Sequence, residues 1–145
     1  MPPYIYFGGK LKNKPNFNPL LSCMKSFNLF FTVIFFIFAA LQYNDPDPYV
    51  WIPIYGSMTA LCVSAIFRTV NKWIYLFLAL IFLIYAASLF PSMMVWLRSD
   101  DRSQLLDELA KMQNLYIEET REFLGLVICL VVLTVNYVAQ YFNRP

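Results

Sequence analysis

Residues 73–97 read WIYLFLALIFLIYAASLFPSMMVWL, an unbroken run without a charged side chain. A helix rises about 1.5 Å per residue and a bilayer's hydrocarbon core is roughly 30 Å thick, so this stretch can cross a membrane with length to spare. Working outward, three further uncharged runs of the same kind occupy 27–43, 49–67 and 123–142. The composition agrees: 59% of the 145 residues are hydrophobic and 14% are charged, against about 45–50% and about 25% in soluble domains. These runs predict an all-α, polytopic membrane protein with four transmembrane helices. Pro91, deep in the third run, is expected to kink that helix or end it early.

The acidic residues sort completely by loop and the basic residues seven to four, since Arg98, Arg102, Lys111 and Arg121 share the long acidic loop. Lys10, Lys12, Lys14 and Lys25 precede the first run, Arg68 and Lys72 join the second to the third, and Arg144 follows the fourth, with no acidic residue among them. All nine acidic residues lie in the other two loops: Asp45 and Asp47 in one, and Asp100, Asp101, Asp107, Glu108, Glu118, Glu119 and Glu122 in the other. The positive-inside rule then puts both termini in the cytoplasm and the acidic loops across the membrane, as for a protein of a bacterial inner membrane. Tyr43, Tyr49, Trp51 and Trp96 at one end, and Trp73, Tyr137 and Tyr141 at the other, suit interfacial aromatic belts.

Residues 1–23 lack periodicity and end just before Met24-Lys25, itself a plausible translation start. They read as a disordered or non-authentic extension ahead of a 24–145 transmembrane domain. Between the third and fourth runs, Leu105, Leu109, Met112 and Tyr116 recur at helical spacing opposite charged residues. This is either an amphipathic segment on the membrane surface or the projecting front of a long fourth helix.

Histidine is absent, which removes imidazole bases, the usual nucleophile pairs and the commonest zinc, haem and copper ligands. Cys23, Cys62 and Cys129 have no metal or redox spacing and read as small hydrophobes. No motif calls for a cofactor or for nucleic acid. Gly56, Ala60 and Ser64, four apart, predict a seam along which a neighbouring backbone comes close. Asn136 and Gln140, one turn apart, predict an interhelical hydrogen bond or a headgroup contact.

Chemistry-bearing residues fall in two places. The first reads Gln42-Tyr43-Asn44-Asp45-Pro46-Asp47-Pro48, followed by Trp51 and Tyr55. Asp47 suits a helix N-cap and Pro48 the first helical position, while Asn44-Asp45-Pro46 suits a turn. Capping does not require Gln42, Asn44 and Asp45 as well. The second reads Glu118-Glu119-Thr120-Arg121-Glu122 and leads into the fourth run, with Glu118, Glu122 and Gly125 on one helical face and Arg121 beside them. Polar and charged groups so near hydrocarbon are costly and need partners. The candidate polar cluster is therefore Gln42, Asn44, Asp45, Asp47, Trp51, Tyr55, Glu118, Glu119, Arg121 and Glu122, gathered at one end of the bundle. If Arg121 neutralises the acids, the cluster clasps the loops together. If Arg121 points away, Asp45, Asp47, Glu118 and Glu122 offer an oxygen-only site for a divalent cation such as Ca²⁺, Mg²⁺ or Mn²⁺.

The Gln-x-Asn-Asp-Pro-Asp-Pro run at 42–48 with Trp51, the four-helix plan and the Glu-x-x-Arg-Glu-x-x-Gly-Leu run at 118–126 resemble the transmembrane protein 220 family over about residues 25–142, and the compact form its bacterial members. The resemblance implies a four-pass membrane protein and supplies no catalytic residues. The leading expectation is a non-enzymatic subunit or interaction protein in the lipid bilayer, partnered by another membrane protein or by its own copies. The alternatives are a membrane enzyme with Asp45 and Glu122 as acid and base, or a lipid- or cation-binding protein. An ion or proton pathway ranks last, because mid-span polar residues amount to little beyond Thr59, Ser64 and Thr134.

Overall fold

The computed structural model describes residues 19–45, 47–99 and 115–142. They form four long helices: α1 (Pro19–Leu41), α2 (Pro48–Phe67), α3 (Lys72–Arg98) and α4 (Leu115–Phe142), with a 3₁₀ turn at Gln42–Asn44. Each helix is long and apolar enough to cross a membrane. The chain is an all-helical, four-span integral membrane protein. The amphipathic segment expected around 102–116 lies almost wholly outside the described residues.

Two helices are longer than the uncharged runs predict. The first starts at Pro19 rather than near 27, so residues 19–23 are helical; residues 1–18 lie outside the described residues. A single lysine does not stop a membrane helix, because its stem lies along apolar surface while the ammonium reaches water. Likewise α4 begins at Leu115 rather than 123. Acids in a first turn favour the helix dipole, and no glycine or proline separates 115 from 123. The fourth helix therefore includes the Glu118–Glu122 motif.

Helix α3 runs unbroken through Pro91. Proline forfeits one main-chain bond, and membrane helices tolerate it where neighbouring helices, hydroxyl side chains or local adjustments re-satisfy the freed carbonyl. At the start of α2, Asp47 occupies the N-cap position and Pro48 follows, yet the Asp47 side chain makes no capping bond. Its backbone carbonyl accepts from Val50 and Trp51 instead. The side chain that does cap is that of Asn71, whose Oδ1 accepts from the Trp73 N–H at 3.2 Å.

The helices associate as two hairpins. The backbones of α1 and α2 run close together, as do those of α3 and α4, while between the hairpins α4 approaches α1 and α2 only briefly. Long side chains fill the remaining gap. On α2 the buried face is Trp51, Ile54, Tyr55, Met58, Leu61 and Cys62, recurring every three or four residues as one helical face demands. Phe27, Phe31, Phe35 and Phe38 of α1 stack along the helix, and Phe35 and Phe38 both meet Tyr55. From α4, Leu126, Cys129, Val132 and Leu133 complete the core. Large apolar side chains such as Phe30, Phe36, Phe77 and Ile84 stay exposed. Lipid tails solvate them as well as a core would, so packing and hydrogen bonding rather than water exclusion hold the hairpins together.

Two expectations based on residue type are corrected. The Gly56–Ala60–Ser64 seam receives no backbone: a Cβ added at Gly56 would meet nothing within 4 Å, and Ala60 and Ser64 are exposed. Aromatic rings on the adjoining face of α2 set its spacing instead. Trp51 is not a belt residue but a core one, 2% exposed, whereas Tyr43, Tyr49, Trp73 and Tyr141 are exposed as a belt requires. The mid-span hydroxyls of Thr59, Ser64 and Thr134 donate to the carbonyls of Tyr55, Ala60 and Leu130 one turn earlier. They satisfy themselves within their own helices.

Candidate functional site

The two sequence clusters do meet, through the core-facing edge of each. Trp51 sits in the first turn of α2, because Pro48 starts the helix and the next inward position falls three residues on. Glu122 sits two turns into α4. The indole Nε1–H of Trp51 donates to Oε1 of Glu122 at 2.7 Å, a short bond with an ionisable acceptor and therefore a strong one. It ties the first hairpin to the second. One turn deeper, the Tyr55 hydroxyl lies directly over Gly125, where an added Cβ would collide with it. Glycine at 125 is thus required by close approach rather than by backbone conformation.

A second bond belongs to the same layer. Ser92, the residue after Pro91 on α3, donates through Oγ to Oε2 of Glu119, joining α3 to α4. Tyr85, two turns earlier on α3, packs its ring 5.6 Å from that of Trp51. Sequence reasoning missed both residues. The available signal was that Tyr85 and Ser92 are seven apart, hence on one face of α3, at the membrane end where the acids lie.

The charges around Glu122 are mostly of its own sign. Glu118, Glu119 and Asp47 all stand near enough to repel its carboxylate, and Asp45 stands near enough to Tyr55 to act on its hydroxyl. Glu118, Arg121 and Asp45 each have an interaction partner. Glu118, Glu119, Arg121 and Glu122 are half-buried, while Asp47 and Asn44 are exposed. Gln42 and Asn44 form the 3₁₀ turn, where the Asp45 N–H donates to the Gln42 carbonyl at 3.2 Å. Among the described residues, neither of those amide side chains bonds to the cluster. Also among the described residues, no three Asp, Glu, Cys or His side chains gather closely enough to hold a metal ion.

At the opposite, Lys/Arg-bearing end, Gln140 of α4 is the cross-helix partner. Its Oε1 accepts from the Val70 N–H at 3.1 Å and from the Tyr75 hydroxyl at 3.2 Å, and its Nε2 donates to the Val70 carbonyl. One side chain thereby satisfies both backbone groups of a buried connecting residue. Asn136 is also buried but bonds within its own helix, to the Val132 carbonyl.

The model for the family described as transmembrane family 220, helix, matches residues 34–138, more than half of the chain. The chain belongs to this family. The family segment runs from the middle of α1 almost to the end of α4, so it holds both polar motifs and the Trp51–Glu122 and Ser92–Glu119 bonds. No curated protein and no solved structure matches the chain.

Proposed function

We propose that this protein is a non-enzymatic component of its membrane, a subunit or interaction protein whose acidic cluster is a structural clasp. The proposed orientation has the termini in the cytoplasm of a bacterial inner membrane and the cluster at the outer face, following the sorting of Lys/Arg against Asp/Glu. The observation that carries the clasp is the Trp51–Glu122 bond. It spends the most centrally placed carboxylate on holding the hairpins together, and Glu119 is spent similarly on Ser92. A catalytic acid or base instead needs its carboxyl available to a substrate proton.

The repulsive company of Glu118, Glu119 and Asp47 around Glu122 favours one rival, a site that holds a divalent cation. Unfolding in mixed dodecyl maltoside–SDS micelles separates the two. Under the clasp, Trp51→Phe and Glu122→Leu each lose about 1–3 kcal/mol, because each strands a buried polar partner. The double variant then loses less than the sum, and millimolar Ca²⁺, Mg²⁺ or Mn²⁺ leaves the midpoint unchanged. A cation-dependent rise in midpoint that Glu122→Leu abolishes, with Glu122→Leu neutral or stabilising when no cation is added, would overturn the clasp.

A further inference from the structure

At the Lys/Arg-bearing end, the starts of α1 and α3 and the ends of α2 and α4 surround a cavity of about 410 Å³, within the size range of small-ligand sites. We propose that it seats the headgroup of a phospholipid from the adjacent leaflet, one whose phosphate carries an N–H- or O–H-bearing group such as ethanolamine or glycerol. The inference is independent of the clasp, since it uses the other end of the bundle and different residues.

Three features of the lining select that ligand. First, among the described residues its charged lining consists of Lys25 and Arg68 with no acidic side chain, so an anion is favoured; a lysine and an arginine together suit phosphate oxygens. Second, the wall includes buried amides rather than a continuous apolar surface. Asn28, 2% exposed, donates through Nδ2 to the Met24 carbonyl at 2.9 Å, which fixes which way the amide faces. Its Oδ1 is then buried with no hydrogen-bond partner among the described residues. A buried acceptor without a donor is costly where a leucine of similar size would have been free of that cost. Asn28 lines the cavity, so a donor seated there can meet Oδ1 once a small side-chain shift uncovers it. Phosphate supplies none, but an ethanolamine ammonium or a glycerol hydroxyl beside it does; a choline headgroup, with its quaternary nitrogen, does not. Third, Leu21, Ile66 and Phe67 border the same space, and Leu21 and Phe67 are exposed. Acyl chains can lie against them while the headgroup stays at the depth of Lys25 and Arg68, so a lipid occupies the site without leaving its leaflet. Leu21, Met24, Lys25, Asn28 and Gln140 fall outside the segment 34–138 that defines the family, so this cavity is partly built from the chain's own flanks.

Phosphatidylethanolamine and phosphatidylcholine with the same acyl chains test this, since they share phosphate and tails and differ in the N–H donors. Binding to the delipidated full chain in detergent is read by native mass spectrometry. Phosphatidylethanolamine is expected to bind about 3- to 10-fold more tightly, the worth of one hydrogen bond. In Asn28→Leu, an apolar exchange that leaves the fold intact by its melting temperature, that ratio falls to about 1. In Lys25→Gln/Arg68→Gln, two exposed positions, both lipids weaken together by about 5-fold. Glycerophosphoethanolamine, the same headgroup without acyl chains, does not compete at the concentrations where the lipid binds. Equal affinity for the two lipids, a preference that survives Asn28→Leu, or binding indifferent to the two cations would each overturn the site. Competition by the chain-free headgroup at those concentrations would overturn the lipid assignment in favour of a soluble phosphate ester.

Discussion

Replacing Gly125 by alanine sets two effects of known size against each other. Alanine in place of glycine inside a helix is favourable by about 1 kcal/mol. The added Cβ, however, collides with the Tyr55 hydroxyl oxygen and comes within 3.5 Å of Cζ. Tyr55 has little room to retreat: it is 6% exposed, with the rings of Phe38, Trp51 and Phe35 at 5.4, 5.8 and 6.3 Å. Overpacking of this kind costs about 1–3 kcal/mol, so Gly125→Ala alone is expected to lose up to about 2 kcal/mol. In a Tyr55→Phe background the colliding oxygen is gone and the nearest atom is Cζ at 3.5 Å, an ordinary contact. There the same alanine should stabilise by up to about 1 kcal/mol, so the sign reverses. Reversible unfolding from dodecyl maltoside into SDS, followed by circular dichroism, gives all four corners of the cycle. A loss of the same size in both backgrounds would refute the placement of the Tyr55 hydroxyl over Gly125.

Gln140→Leu removes the partner of both backbone groups of Val70 and of the Tyr75 hydroxyl, and is expected to lower stability by about 2 kcal/mol in the same assay; Gln140→Glu, which keeps the acceptor and lacks the donor, should fall between. No loss for Gln140→Leu would mean that Val70 finds other partners. The orientation predicts that, in a cysteine-free background, a cysteine at Ser103 reacts with a membrane-impermeant maleimide in spheroplasts and one at Asn71 does not; the reverse pattern would invert it.

The spans were legible because lipid demands uninterrupted apolar length, a property of composition that survives ignorance of packing. Helix ends were less so: Pro19 and Leu115 start helices beyond the uncharged runs, since a helix extends as far as its charges can reach water. The meeting of Trp51 with Glu122 was foreshadowed by two polar motifs at one membrane face. Ser92, by contrast, was invisible as a partner because an isolated serine looks the same whether it bonds its own helix, as Ser88 does with Tyr85, or another. The Gly56 seam misled for a similar reason, as small residues permit close approach but do not compel it when aromatic rings on the next face provide more contact. Asn28 was overlooked inside its apolar run, though an amide among phenylalanines is itself a request for a partner.

The long reach of the Trp51–Glu122 bond, seventy-one residues along the chain, has a consequence for synthesis. At about 5–20 residues per second, the first hairpin spends several seconds in the membrane before helix α4 exists. Throughout that interval Trp51 has no mate. A charged side chain left waiting at that depth would pull its helix toward water or seek a wrong partner. An indole rests comfortably at the membrane–water boundary, with its ring in the acyl region and its N–H among headgroups. With the tryptophan on the early hairpin and the carboxylate on the last helix, the group that must wait is the one the interface tolerates, and the group that cannot wait arrives with its partner already in place.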